Sequence, residues 1–321
     1  MNVRTGVVLA AGEGTRLRPL TENRPKPMLA AGTRPILEHV CDALVDAGLE
    51  RLVLVVGYER DRVQDHVGPT YRDVPVEYVV QEKQLGSGHA LLQAVGTVDG
   101  PLLAVNGDRV IDASMVQAVM DAFSQDCSAV VSAIDHGNHG RYGTVALDGT
   151  RVTSLVEKPT EPASGLINAG IYAFRPDIFD SLEATPRTDG ELPITDTVGR
   201  LIDEGTVCGV QVDGLWADAT YPWDLLYLTR RLLEEGQVPG TEPRPGTYVD
   251  PAATVHDDAT LQAPVVVGPD VEVGAGAVVL PGVEVGADAQ VAANSLVADD
   301  VPPGETWAGV PAEPVDGDRL D

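Results

Sequence analysis

Apolar residues follow two different rhythms along this chain. Over roughly its first two thirds they come in short unbroken runs, at 6–9, 52–56, 76–80, 102–105 and 129–134. Runs of that length, rich in Val, Ile and Leu and bounded by Gly, Asp and Pro, predict strands buried on both faces. Between and after them, 35–47, 88–95, 114–123 and 222–235 carry helical spacing. In 114–123, Met115, Val116, Val119, Met120 and Phe123 form one stripe at i, i+4 spacing, which assigns the methionines to core filling. Strand and helix alternate, so an α/β domain with a mainly parallel sheet and helices on both faces is expected.

After residue 235 the rhythm changes. Gly236, Pro239, Gly240, Pro243, Pro245 and Gly246 crowd into a breaker-rich linker. Beyond it an aliphatic residue stands at every sixth position: Val249, Val255, Leu261, Val267, Val273, Val279, Val285, Val291 and Val297. Small residues often follow four places later, at Ala253, Ala259, Ala277 and Ala289. Nine hexads in register predict a parallel β-helix with three hexads per triangular coil, hence about three coils. The repeat resembles the left-handed β-helix, and WAGVPAEPV from Trp307 resembles the end of such domains. The expected organisation is a first domain over 1–235, a linker over 236–247, a β-helix over 248–312 and an acidic tail over 313–321, frayed from Asp316 onward.

Charge narrows the function classes. The chain has 49 acidic and 22 basic residues, net −27. Nonspecific nucleic-acid binding and anionic membrane surfaces are excluded by repulsion. No run approaches the ~20 apolar residues of a membrane span, and residues 7–11 are too short for a signal-peptide core, so a cytoplasmic location is expected. Three lysines occur, Lys26, Lys83 and Lys158. An acid-rich, lysine-poor surface suits high salt, where repulsion is screened, and points to a halophilic protein. Cys41, Cys127 and Cys208 are odd in number and lack a CxxC pair, which predicts reduced core thiols in a reducing compartment.

The chemistry gathers around VVLAAGEGTRLRPLTENRPKPML, residues 7–29. A strand that stops in a glycine loop delivers that loop to the edge of a parallel sheet, where ligands of such sheets bind. Glycines let the backbone approach a phosphate chain, and Arg16, Arg18, Arg24 and Lys26 supply full charges, so the stretch reads as a triphosphate cradle. A dinucleotide fingerprint would need glycine where Leu17 stands, and a Walker A loop would need a closing Gly-Lys-Ser/Thr. On glycine spacing alone, a turn with solvated arginines explains the stretch equally well.

The ordered string AAGEGTRLRPLT followed by RPKPM resembles the signature of the sugar-1-phosphate nucleotidylyltransferases. That resemblance implies a Rossmann-like nucleotidyltransferase domain. It implies nucleotide contacts from Ala10, Ala11, Gly12, Gly14 and Thr15, with Arg16 and Lys26 neutralising phosphates at the reacting centre. Further strings follow in the family's order. Asp108, in Asn106-Gly107-Asp108, matches its metal-binding aspartate, and Asp218 matches part of its W-x-D-x-G-x-P motif, together implying Mg²⁺. Ala219, Thr220 and Tyr221 depart from the glycine-containing residues usual there. QLGSGHAL, from Gln84, resembles the QLGTGHA loop of uridylyltransferases acting on N-acetylglucosamine 1-phosphate, implying Gln81, Gln84, Gly86 and Ser87 near the nucleotide. His89 reads as structural. Arg141-Tyr142-Gly143, Glu157-Lys158-Pro159 and Asn168-Ala169-Gly170 imply sugar and sugar-phosphate contacts from Gly143, Glu157, Lys158 and Asn168.

The implied partners are an NTP and a sugar 1-phosphate, either glucose 1-phosphate or N-acetylglucosamine 1-phosphate, with release of pyrophosphate. UTP is favoured; dTTP is the alternative, because uracil and thymine differ by one methyl. A non-catalytic assembly subunit of the same two-domain plan is the more distant alternative, opposed by the presence of Arg16, Lys26, Asp108, Lys158 and Asp218. The β-helix, with about three coils and His256 its sole histidine, is expected to build a homo-oligomer, such as a trimer, rather than to transfer acetyl groups.

Overall fold

The computed structural model describes residues 3–18, 20–22, 24–32, 34–136, 141–157, 159, 165–205, 207–234, 241–244 and 246–315, without side chains at 222, 223, 226, 233, 234 and 241–244. The chain divides into two compact units, Met1–Leu29 with Pro35–Asp224, and Ala30–Arg34 with Leu225–Asp321.

The first unit is built on one sheet. Its strands begin with β1 (Thr5–Leu9); the segment Ala30–Arg34 of the second unit supplies β2 (Ala30–Ala31) and the start of β3 (Arg34–Pro35), a separate two-residue ladder. The sheet continues with β4 (Arg51–Val56), β5 (Thr70–Tyr71), β6 (Val74–Val80), β7 (Leu102–Asn106), β9 (Ala129–Asp135), β10 (Thr144–Asp148), β11 (Arg151–Val156), β12 (Leu166–Phe174) and β13 (Val207–Gln211). The short strands β8 (Arg109–Ile111) and β14 (Trp216–Asp218) pair apart from it. The order across the main sheet is β10-β11-β13-β9-β12-β7-β1-β4-β6-β5.

This sheet is mixed. β7, β1, β4 and β6 run parallel, as do β13 and β9. β12 enters antiparallel to both β7 and β9, and the two edges are antiparallel hairpins. The expected parallel pattern therefore holds where the runs are most apolar, because those strands are covered on both faces. Val8, Leu54 and Val105 belong to one buried cluster, while Val7, Val53, Val55 and Ala104 belong to the other. Helices α1 (Ile36–Asp46), α2 (Arg60–Val67) and α4 (Ala113–Ala122) pack into the first cluster; α3 (Ser87–Leu92), α5 (Ile178–Ala184) and α6 (Ile194–Asp203) pack into the second. From β1 the chain steps to β4 and β6 on one side and returns to β7 on the other. That switch opens a crevice at the strands' carboxyl ends.

Cys127 and Cys208 are joined in a disulfide, with Cα atoms 5.7 Å apart and a sequence separation of 81. This corrects the expectation of three reduced thiols, and the reducing-compartment inference drawn from it falls as well. The pair is invisible to spacing rules because the sheet makes it: β13 lies parallel beside β9, bringing Cys208 level with Val130. Cys41 is a free, buried thiol; burial foremost, then Asp42 and Glu38, hold its pKa far above the usual range. Among the described residues, no helix is long and apolar enough to cross a membrane.

Helix α7 (Pro222–Glu234) begins in the last residues of the first unit, and the second unit continues into β15 (Thr241–Arg244) and a stack of short strands. Three parallel ladders form: β16 (Thr247–Val249) with β19 (Val265–Val267) and β22 (Glu284–Val285); β17 (Thr254–Val255) with β20 (Glu272–Val273) and β23 (Gln290–Val291); β18 (Thr260–Leu261) with β21 (Val278–Val279) and β24 (Leu296–Val297). Val267 pairs with Val249 and Val285, and Val279 with Leu261 and Val297. The six-residue column is thus an interior stack of parallel coils, consistent with a left-handed β-helix. β25 (Thr306–Gly309) and β26 (Ala312–Val315) close it, with Trp307 above Val291. The predicted tail beyond residue 315 lies outside the described residues, as does 236–240 of the predicted linker.

Candidate functional site

Two chain reversals build the cationic wall. After β1 the backbone turns at Gly14, whose φ of 65° lies in the left-handed region. A Cβ at Gly14 would stand 2.8 Å from Lys26 Cβ, so only glycine lets the two segments meet this closely. Thr21 fixes the meeting by donating from Oγ1 to the Gly14 carbonyl at 2.8 Å. Lys26 then lies over the end of β7, where its Nζ donates to Asp108 Oδ2 at 2.6 Å. Lys26 is 13% exposed and Asp108 34%. Burial raises the cost of the Asp108 charge, but Lys26 and then Arg109 outweigh it, holding the carboxyl below its ordinary pKa.

The opposite wall comes from β8 and β14, which pair antiparallel so that Asp218 stands level with Arg109. Asp218 is held at both oxygens. Tyr142 donates its hydroxyl to Oδ1 at 2.5 Å, and Thr220 donates to Oδ2 at 2.7 Å. Burial and this hydrogen bond both raise the Tyr142 pKa, so the hydroxyl keeps its proton and remains a donor. Asp224 organises the next loop: one oxygen accepts from the backbone N–H groups of Thr220 and Tyr221 at 3.0 and 2.8 Å and from Arg141 at 3.1 Å. The Arg141 guanidinium lies over the rings of Tyr142 and Tyr221, 5.9 and 5.4 Å from their centroids.

These walls enclose two adjoining lobes. The larger, about 600 Å³, is lined by Gly12, Gly14, Thr15, Arg16, Lys26, Asp108, Gly143, Glu157, Asn168 and Asp218, together with Leu17, Arg109, Arg141, Tyr142, Thr220 and Tyr221. The smaller, about 360 Å³, is lined by Ala10, Ala11, Gly12, Lys26, Gln81, Gln84, Gly86, Ser87 and Asp108, together with Leu9, Pro27, Ala90, Asn106, Arg109 and Glu191. Gly12, Lys26, Asp108 and Arg109 line both. Every site residue predicted from sequence borders one lobe or the other except Arg18 and Arg24, which line neither, and Lys158, which lies outside the described residues.

Several of those side chains also have structural work within the protein. Gln81 is buried and donates from Nε2 to the Gly86 carbonyl at 3.1 Å and to His89 Nδ1 at 2.9 Å. Burial, then Arg187, lower the His89 pKa, which suits a neutral ring accepting from Gln81. Ser87 Oγ accepts the Ile194 N–H at 3.0 Å, tethering the start of α6. Gln84 reaches the Ala11 carbonyl at 3.4 Å. Asn168 donates to the Tyr172 hydroxyl at 2.5 Å and accepts from the Gly170 N–H at 3.1 Å, which fixes the strap at 168–170.

Among the described residues, no group of three or more His, Cys, Asp or Glu side chains is placed to hold a metal. Three acidic residues line the larger lobe, and two of them, Asp108 and Asp218, are the ones that the sequence matches to a metal. Mg²⁺ characteristically takes one or two carboxylates and completes its shell with water and substrate phosphates, so this donor set fits it.

Sequence reading missed Arg109, Tyr142, Thr220 and Tyr221 as lining residues. Each stood inside or beside a quoted motif, yet the family signature assigns its roles to neighbouring positions. Arg109 is placed by the β8–β14 pairing, and Tyr142, Thr220 and Tyr221 by hydrogen bonds to Asp218 and Asp224, none of which local spacing encodes.

Residues 5–235 match the Nucleotidyl transferase family model, and residues 264–299 match the Bacterial transferase hexapeptide (six repeats) model. The chain is similar to UTP--glucose-1-phosphate uridylyltransferase AglF of Haloferax volcanii, at 39% identity over 71% of this chain and 96% of that one. It is similar to the Bifunctional protein GlmU of Methanococcus maripaludis, at 36% identity over 71% of this chain and 54% of that one. The match thus spans about half the length of the GlmU relative. The fold is also that of a solved UDP-glucose pyrophosphorylase complexed with UDP-glucose, with a TM-score of 0.66 and 22% identity over 73% of this chain and 99% of that one.

Proposed function

We propose that this chain, which belongs to the nucleotidyl transferase family, joins an NTP to a sugar 1-phosphate and releases pyrophosphate. UTP and glucose 1-phosphate are the favoured pair, in line with the activity named for the Haloferax relative. N-acetylglucosamine 1-phosphate is the second sugar, and dTTP the alternative nucleotide. One observation carries this reading: Arg16, Lys26, Asp108 and Asp218 line a single lobe at the carboxyl ends of parallel strands.

In the proposed reaction an oxygen of the sugar 1-phosphate attacks the α-phosphorus of the NTP. The bond from that phosphorus to the bridging oxygen of the β-phosphate breaks, and pyrophosphate leaves with that electron pair. No protein nucleophile is needed, because positioning and charge stabilisation suffice for such transfers. The obstacle is repulsion between two anions, several kcal/mol at an effective dielectric of about 20. Arg16 and Lys26 lower it at the reacting centre, and Lys158 meets the sugar phosphate. Asp108 and Asp218 would hold Mg²⁺, which when bound supplies a divalent charge to phosphate oxygens. The glycine loop from Ala10 to Thr15, with Gln81, Gln84, Gly86 and Ser87, holds the nucleotide; Gly143, Glu157 and Asn168 hold the sugar.

The proposal assigns catalysis to 1–235 and gives 248–312 a role in homo-oligomer assembly; 236–247 connects them, with 241–244 forming β15, and 313–321 is a tail whose first three residues belong to β26. His256 is exposed, and its Nδ1 accepts from the Asp258 N–H at 3.1 Å, an ordinary local turn that adds nothing toward acetyl transfer. A grid of NTPs against sugar 1-phosphates, read by pyrophosphate release, tests the reading. UTP with glucose 1-phosphate is expected to give the highest kcat/KM, and silence across the grid would refute it.

A further inference from the structure

Arg109 stands where the two lobes meet, and neither the family signature nor the motifs that carry it give it a role. It opens β8 directly after Asp108 and lines both lobes. The molecule makes room for it. Gly170 adopts a φ of 80°, and a Cβ there would stand 2.6 Å from the Arg109 guanidinium. The side chain is anchored at two points: Nη1 donates to the Asn168 carbonyl at 3.3 Å, and the guanidinium lies 5.4 Å from the centroid of the buried Trp216 ring. Trp216 in turn donates from Nε1 to the Ala169 carbonyl at 2.8 Å, so the anchor itself is fixed.

What Arg109 lacks is as informative. Among the described residues, no carboxylate lies within 4.0 Å of its guanidinium, in a chain where acids outnumber bases 49 to 22. Among the described residues the Asn168 carbonyl takes one of its five N–H donors, leaving a rigid, permanently charged fork beside the lobes. Such a fork matches paired phosphate oxygens. A brace between the strap at 168–170 and Trp216 would not need the border with both lobes.

We propose that Arg109 is a phosphate-binding residue at the seam of the two lobes, gripping phosphoanhydride or phosphate-ester oxygens where the substrates meet. The inference rests on the reading of the cavity as a site for two phosphate esters. Its test does not depend on turnover. Binding of inorganic pyrophosphate is measured by calorimetry at fixed salt, with chelator present, for the wild-type protein, Arg109→Met and Arg109→Lys. Thermal melting of each variant is recorded alongside.

Arg109→Met is expected to weaken pyrophosphate binding at least tenfold with an unchanged melting temperature. Arg109→Lys is expected to recover part of that loss by restoring the charge without the fork. Equal affinity in the wild type and Arg109→Met would overturn the proposal. So would a lowered melting temperature in both variants with affinity unchanged, the signature of a brace. If Arg109→Met does not fold, Arg109→Lys decides: weakened binding supports the proposal and wild-type affinity refutes it. A wild-type protein that binds pyrophosphate through Arg109 yet shows no turnover across the substrate grid would refute the enzyme reading while leaving this site in place.

Discussion

The cavity of the first unit and the coil stack of the second are opposite solutions to the use of a chain. The stack is dry and repetitive: Val267, Val279, Val285 and Val297 are fully buried, each above a residue of the same kind one coil away. The cavity is polar and assembled once, from the ends of β1, β6 and β7 and the β8–β14 pair. In the stack any one position resembles its neighbours, so losing one costs packing energy. In the cavity no position has a substitute, so losing one charge costs function.

The largest test of that contrast is Asp108→Ala. It frees Lys26 from its partner and removes one of the two carboxylates proposed to hold Mg²⁺, so turnover is expected to fall on the order of 10³-fold. Steady-state kinetics at saturating substrate measure it, and near-normal turnover would remove the carboxylate from the reaction. The next effect concerns stability. Reducing the Cys127–Cys208 bridge, or replacing Cys127 by Ser, is expected to cost about 2–4 kcal/mol because the bridge closes a long loop. Denaturant melts with and without reductant check it; reductant should leave Cys127→Ser unchanged.

A pair of valines sharpens the comparison within the stack. Val279 is fully buried in the middle coil, whereas Val255 in the first coil is half-buried. Val279→Ala is expected to cost about 2 kcal/mol, and Val255→Ala less than half of that, with turnover at saturation unchanged in both. Equal losses would mean that the first coil is as dry as the second.

The smallest effect is a pH dependence far from the cavity. His66 Nε2 lies 2.5 Å from Glu38 Oε1, and this hydrogen bond, against an opposing burial cost, raises the His66 pKa above 6.5. A raised folded-state value means that the stabilisation is fully present below the unfolded pKa and is lost as pH climbs through the raised one. His66 is 39% exposed, so screening limits the pair to roughly 0.5 kcal/mol. His66→Gln should therefore lower stability slightly at acidic pH and match the wild type at alkaline pH. The opposite slope would contradict the assignment.

The two units also differ in how far they can be read without coordinates. The six-residue column is local, repeated and set by one rule, so Val249 through Val297 could be placed by counting. The parallel half of the first sheet was legible for a similar reason, because β1, β4 and β7 must be apolar on both faces. The strap at 168–170 and the β8–β14 pair were not, since their partners lie far away in sequence: Asp218 opposite Arg109, Ala169 beneath Trp216. Motif order located Asp108 and Asp218. It gave no sign that Tyr142 and Thr220 would hold both oxygens of Asp218, nor that Gly170 would clear space for Arg109. The disulfide escaped for the same reason, being a consequence of β13 lying beside β9.

The central claim is that one cavity joins two phosphate esters by displacement at the α-phosphorus. It is tested most directly by product stoichiometry with UTP labelled at the α-phosphate, incubated with glucose 1-phosphate, Mg²⁺ and enzyme. The account predicts that the label appears in a UDP-sugar, matched mole for mole by pyrophosphate. Label found in UMP or UDP, or pyrophosphate formed without glucose 1-phosphate, would contradict it.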